Sequence, residues 1–268
     1  MNWSRAKTIL IFMFLATAIF QSFVLYNSER KTKNISPEII TACTELLDKN
    51  QISVKTEIIP KRNYSLPYIE ADNAISDYQE FAKLVLGQDA KKTEENTYSS
   101  PSGTVTFSGN SFNIIASGLP TAIKNELSAV SKSKELLDSL GFDLNSAKET
   151  VKKNANGFDI TYSSHIGDTP VADSTITVSI QNSEIKSISG KWFNITEKYG
   201  SVKLKSITSV LIDLIKADIE KPAKITEISL GYIIPENNSY QKSASLVPVW
   251  RLSFENGQTL SIDARNPQ

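Results

Sequence analysis

From Thr8 to Tyr26 the chain reads T I L I F M F L A T A I F Q S F V L Y, a run in which only Thr8, Thr17, Gln21 and Ser22 are polar and nothing is charged. At about 1.5 Å per residue it reaches about 28 Å, close to the thickness of a bilayer's hydrocarbon core. Lipid offers no water to the backbone, so the run is expected to be helical. Arg5 and Lys7 precede it, Glu29, Arg30, Lys31 and Lys33 follow it, and Trp3 and Tyr26 stand where interfacial aromatics belong. A cleaved signal peptide would need a small-x-small site, which Ala16-Thr17-Ala18 supplies only by cutting through the apolar run. A buried core helix would carry a polar face, and residues 9–20 have none. The pattern predicts an uncleaved single-pass anchor over 8–26 in the cell membrane. Lys and Arg counts at its two ends do not orient it. Bulk does: residues 1–7 are too short for a domain and form a cytoplasmic tail, with the body extracytoplasmic.

Beyond the anchor the periodicity alternates between helix and strand. Ser36-Pro37-Glu38 is a helix start, followed by Ile39, Ile40, Cys43, Leu46 and Leu47 at one-face spacing and closed by Asn50. Residues 52–58 alternate as a half-buried strand, and Pro60 to Pro67 reads as a loop. A second helix over 74–86 places Ile75, Tyr78, Phe81, Ala82 and Val85 together and stops at Gly87. Residues 104–107 and 112–116 form a hairpin around Ser108-Gly109-Asn110-Ser111, and Gly118-Leu119-Pro120 reads as a domain boundary. A third helix, 121–140, aligns Ile123, Leu127, Val130, Leu137 and Leu140, with Lys134 falling on that stripe.

Strands are expected at 158–166, 175–180 and 185–195. Ser206 then caps a helix with Ile207, Val210, Leu211, Leu214, Ile215 and Ile219 on one face, ended by Pro222, and strands at 225–234, 246–254 and 259–264 complete the chain. Asn256-Gly257 predicts a type I′ hairpin turn. A helix followed by three strands recurs from 74, 121 and 206, which predicts an α+β ectodomain of repeated helix-plus-antiparallel-sheet units, each sheet covered by its helix. The expected division is a membrane-proximal domain over 27–120 and a distal one over 121–268.

Charge narrows the function. The chain carries 29 basic and 29 acidic residues, and without Arg5 and Lys7 the ectodomain is slightly acidic, which argues against a nucleic-acid partner. Cys43 is alone, so no internal disulfide forms; its place on a helix face makes it a small buried apolar residue, with a dimer-forming disulfide the alternative. One histidine, His165, excludes a multi-histidine metal site and reads as a surface or edge residue. Ser131-Lys132-Ser133-Lys134 contains S-x-x-K without the K-T-G or S-D-N partners of penicillin-recognising enzymes, so it reads as an exposed helix face. Glu94, Glu95, Asp213, Asp218 and Glu220 are scattered, and no Gly-rich phosphate loop exists. Nothing predicts an enzyme, a cofactor or a metal.

Inside the anchor, Thr17 and Gln21 lie four apart, with Ala18 and Ser22 beside them. Small and polar residues on one face allow close approach and cross-helix hydrogen bonds, so Thr17, Ala18, Gln21 and Ser22 are the candidate face for a partner transmembrane helix. The other reading is that Gln21 and Ser22 sit high enough to be solvated among the outer headgroups.

The opening Asn2-Trp3-Ser4-Arg5-Ala6-Lys7-Thr8-Ile9 resembles the start of the YycI (WalI) family, membrane-anchored regulators encoded with the WalK/WalR two-component system of Gram-positive bacteria. The stretch from Leu46-Leu47 to Ile52 through Pro60 resembles it too. The Gly167-Asp168-Thr169-Pro170-Val171 turn, Val247-Pro248-Val249-Trp250-Arg251, Gly257 and Ile262-Asp263-Ala264 are similar to YycH/YycI and PepSY-like domains. Asn2 stands where the family usually has Asp. The resemblance implies a single-pass regulator whose ectodomain pairs with a YycH-like protein and whose helix contacts a WalK-like sensor histidine kinase, tuning cell-wall homeostasis; a homodimer is a further expectation. Two other readings stay open: a PepSY-like extracytoplasmic module that binds or inhibits a wall enzyme or protease, and a wall hydrolase with a carboxylate pair.

Overall fold

The computed structural model describes residues 13–15, 17–22, 34–120, 123, 125–235 and 240–266, the side chains of 117–120 excepted. Its body is mixed α+β and dominated by sheet. Four helices are described there: α1 (Pro37–Lys49), α2 (Tyr78–Leu86), α3 (Glu126–Ser139) and α4 (Ile207–Leu214). Each begins on a side chain that accepts a backbone N–H of its first turn: Ser36, Asp77, Asn125 and Ser206.

The strands are β1 (Ile52–Val54), β2 (Ser65–Asn73), β3 (Lys91–Glu94), β4 (Thr97–Ser100), β5 (Gly103–Ser108), β6 (Ser111–Pro120), β7 (Ala147–Asn154), β8 (Gly157–Ile166), β9 (Thr169–Gln181), β10 (Glu184–Lys191), β11 (Phe193–Lys203), β12 (Ala223–Ile233), β13 (Ser243–Phe254) and β14 (Thr259–Asp263). Their central path runs β11-β2-β13-β12-β9-β10-β6-β5-β4-β3, with β7, β8, β14 and β1 attached at its sides. Pairing is antiparallel except β1 with β12 and a single parallel bridge, Tyr232 to Val171, between β12 and β9.

Two apolar cores lie at the ends of this path. One gathers residues between Ile75 and Trp192 under α2 and α3. The other joins Ile35, Ile40, Cys43, Leu47 and Ile52 to residues between Leu204 and Ala264, under α1 and α4. A smaller cluster of Ile69, Ala71, Val171, Phe193, Tyr232 and Leu246 bridges them.

Residues 118–120, read from the sequence as a break in the chain, are part of a strand. Those residues continue β6, where Leu119 pairs with Ile185 and Pro120 with Glu184 at the strand's end, a position where the missing N–H of proline costs little. The first segment of the body packs with the last because β2 bonds to both β11 and β13. Helices cover the sheet two to each large core, and the expected repetition of one helix per sheet is not seen.

Several elements differ from their local pattern. The alternating run 52–58 is a strand only to Val54, then a 3-10 turn over Thr56–Ile58. β2 begins at Ser65, inside the expected Pro60–Pro67 loop, and runs on to Asn73; the register shift of β11 between Tyr199 and Val202 falls opposite Pro67, which has no N–H to offer. The expected strand 185–195 is two, since the chain leaves β6 after Lys191 and joins β2 at Phe193. On α3 the buried line is Ala129, Ser133 and Leu137, and Leu127 is 81% exposed. The Asn256-Gly257 turn is wider than type I′. Gly257 alone has positive φ, its N–H bonds the Phe254 carbonyl, and Asn256 Oδ1 accepts from Gln258.

Tyr232, at the joint between the cores, donates its hydroxyl to the Pro67 carbonyl at 2.8 Å, and burial pushes its phenol up to about 12. The folded state therefore holds the neutral form. Its contribution is intact below the unfolded value near 10 and is lost as pH rises through about 12. Two units correspond to roughly 2–3 kcal/mol. The urea midpoint should fall steeply over that window and more shallowly in Tyr232→Phe; parallel falls would exclude Tyr232 as the source.

Candidate functional site

The proposed partner face falls within the described helical residues 17–22, and Thr17, Ala18, Gln21 and Ser22 are all exposed. Thr17 donates its hydroxyl to the Met13 carbonyl one turn back, so its one donor is already engaged inside the helix. Gln21, whose amide has two donor hydrogens and an acceptor oxygen, is the polar group of this face with most to offer a neighbour. Met13, Phe14, Leu15, Ile19 and Phe20 present their apolar side chains outward as well. The rest of 8–26 lies outside the described residues, and among the described residues no helix is long and apolar enough to cross a membrane.

The catalytic patterns of the sequence do not assemble. In α3, Ser131 and Lys134 are exposed, and Lys134 Nζ sits 2.6 Å from Glu149 across to β7. The serine that matters structurally is Ser133, fully buried, with its hydroxyl 2.5 Å from the Tyr162 phenol and 2.9 Å from the Val130 carbonyl. His165 lies in β8 opposite Pro170, with Nδ1 2.9 Å from its neighbour Ser163's carbonyl. Glu94 and Glu95 are solvated near edge strand β3, whereas Asp213, Asp218 and Glu220 are solvated beside the other core. Among the described residues no cluster of three or more His, Cys, Asp or Glu is placed to hold a metal.

Cys43 is buried between α1 and α4, its Sγ 3.8 Å from the Thr208 carbonyl, and burial pushes its thiol up from its ordinary value. Among the cavities, one of about 390 Å³ lies between β1 and the loop after β13; Glu220, Lys224 and Glu255 line it, with Lys224 ion-paired to Glu255 at 2.5 Å. A second, about 210 Å³ and mostly apolar, lies between α2 and α3 beside Leu84, Leu136, Leu140 and Ile188.

The surface beside the body's first residues has a different character. Asn34 bridges to Arg62, the Leu204 N–H bonds the Tyr64 carbonyl at 3.0 Å, and Leu204 bridges to Arg265. Sequence reasoning missed this gathering, because Lys61, Arg62, Lys203, Lys205 and Arg265 come from three distant stretches. Tyr68 and Tyr199 stack there with ring centroids 5.6 Å apart. Partial burial pulls the Asp263 carboxyl up, but hydrogen bonds and charge from Arg265 outweigh it and hold it below its ordinary range.

The residues that carry the family resemblance sit at structural joints. Val171, near the start of β9, makes the single bridge to β12, and Trp250 is buried in the core under α1 and α4. The sequence matches the family described as "YycI protein" over residues 30–265. The chain belongs to the YycI family. YycI is a regulatory accessory family, not one known for catalysis, so membership assigns a regulatory role associated with the WalK/WalR system. A search of curated proteins finds no match. Among solved structures, an uncharacterized protein from Eubacterium rectale is similar at 10% identity and TM-score 0.46, over 81% of this chain and 89% of that one.

Proposed function

We propose that this YycI-family chain is a single-pass accessory regulator of a WalK-like sensor histidine kinase. Its N-terminus is cytoplasmic, its body lies outside the cell membrane, and its ectodomain pairs with a YycH-like protein to tune cell-wall homeostasis. The observation that carries this reading is the order of parts: an uncharged apolar run, Thr8 to Tyr26, immediately ahead of a body that matches the family from residue 30. The mechanism is differential binding. A helix that packs better against one state of the kinase shifts its equilibrium by the difference in interaction energy, and the sign of regulation follows from which state it prefers.

Gln21 is the anchor's bonding group in this scheme, with Ala18 and Ser22 allowing close approach. A cross-helix hydrogen bond in lipid contributes about 1 kcal/mol, so Gln21→Leu should weaken co-purification with the kinase about fivefold. Adding Thr17→Leu should change little more, since that hydroxyl is bonded within its own helix. Membrane insertion should be unaffected in both. Undiminished capture of the kinase by the double variant would remove this face from the mechanism.

A further inference from the structure

We propose that the basic, tyrosine-bearing face of the body beside Asn34 rests on anionic lipid headgroups of the membrane that holds the anchor. This rests on the single-pass reading above and adds to it a defined seat for the ectodomain.

The first argument is reach. Asn34 forms a bridge with Arg62, and only residues 27–33 separate Asn34 from Tyr26. Even fully extended, at about 3.3–3.6 Å per residue, that link keeps Arg62 within roughly 30 Å of the end of the apolar run. Whatever surrounds Arg62 is thus tethered close to the bilayer.

The second is charge. Lys61 and Arg62 lie at that point. Lys203 pairs with Ser65 in the β11–β2 ladder, Arg265 bridges to Leu204, and Asn266 donates to the Lys203 carbonyl at 3.2 Å. Lys61, Arg62, Lys203 and Arg265 are exposed, and Lys205 is half-buried beside them. Among the described residues, only Arg265 of these five has a carboxylate at ion-pair distance, Asp263 at 2.6 Å. The acids on this side are Asp263, Glu197 and Glu70, and Glu70 already accepts from Ser245 and Tyr199. A cationic excess here, on a body that is slightly acidic as a whole, reflects local gathering rather than composition.

The third is the aromatic complement. Tyr64, Tyr68 and Tyr199 are 39%, 42% and 50% exposed. Rings with a polar tip are the side chains that settle at headgroup depth, and lysine and arginine stems lie along such a surface with their charges in contact with phosphate. Each cation near an anionic surface raises local occupancy about fivefold at moderate salt. An acidic protein would meet the same charges, but the tether puts lipid there first.

The test uses the full-length chain with a fluorophore on Ser201→Cys in a Cys43→Ala background, reconstituted in vesicles of phosphatidylcholine alone or mixed with phosphatidylglycerol. The readout is quenching by a headgroup-labelled lipid. Quenching should be several-fold stronger with phosphatidylglycerol and fall away at high salt. It should drop several-fold in Arg62→Glu/Lys203→Glu/Arg265→Glu and less in Arg62→Gln/Lys203→Gln, which guards against a misfolded triple variant. Equal quenching in both lipids and in all variants overturns the proposal. A chain that resists alkaline carbonate extraction yet shows no quenching overturns the seat and leaves the anchor standing; release by carbonate overturns both.

Discussion

Trp250→Ala should destabilise the body by about 3–5 kcal/mol, the range for deleting a large buried aromatic. Trp250 is 1% exposed in the core that joins α1 and α4 to β12–β14. Its Nε1 donates to the Lys205 carbonyl at 3.0 Å, and the Tyr64 ring meets it edge-on at 5.8 Å. The substitution opens a cavity, leaves a carbonyl unpaired and frees the segment that carries Lys203 and Lys205, so the basic face should loosen along with the core. Against a typical stability of about 5–15 kcal/mol, this brings a large share of the chain near unfolding at ordinary temperature. Leu127→Ala, at an exposed position on α3, should stay within about 0.5 kcal/mol. Urea denaturation of both variants measures the contrast, and similar midpoints would mean that Trp250 is not held as tightly as its burial implies.

Gly103→Ala should cost roughly 2–5 kcal/mol. Gly103 opens β5 with φ +146, and a Cβ there would stand 2.2 Å from the Ile115 carbonyl oxygen and 3.1 Å from the Ala116 Cα of the paired strand. Backbone cannot step aside as a side chain can, so overpacking adds to conformational strain. Gly87 is the comparison: its φ is +89, but a Cβ there meets nothing within 4 Å, so Gly87→Ala carries strain alone. Thermal unfolding should show Gly103→Ala as clearly the worse. Equal losses would show that the approach of β6 to β5 is looser than 2.2 Å requires.

Helices were legible where a cap announces them. Ser36, Gly87 and Ser206 mark ends that the fold respects within a residue or so. The start of α3 was not, because Asn125 with Ser128 makes the capping box that starts the helix at Glu126, five residues after its expected start at Thr121. Its buried face was misread for a related reason. Leucine at 127 reads as core and serine at 133 as surface, yet Tyr162 from β8 supplies Ser133 with a partner that no local window reveals. Strands β3 and β7 carry Lys91, Lys92, Lys148, Lys152 and Lys153, charges that suit sheet edges and hide the strand signal. The four-residue spacing of Thr17 and Gln21 is visible in the sequence, but the diversion of Thr17 to Met13 is not.

The amino-acid order by itself determined the apolar, uncharged run at 8–26, the helix starts at Ser36 and Ser206, the helix end at Gly87 and the family, since each depends on neighbours within a few residues or on a recognisable string. The tertiary structure decided which strands meet, and so made one core from the first and last segments and one basic face from Arg62, Lys203 and Arg265. Pairings across more than a hundred residues are chosen by whole-chain burial and backbone bonding, and neither leaves a mark in any short stretch of sequence.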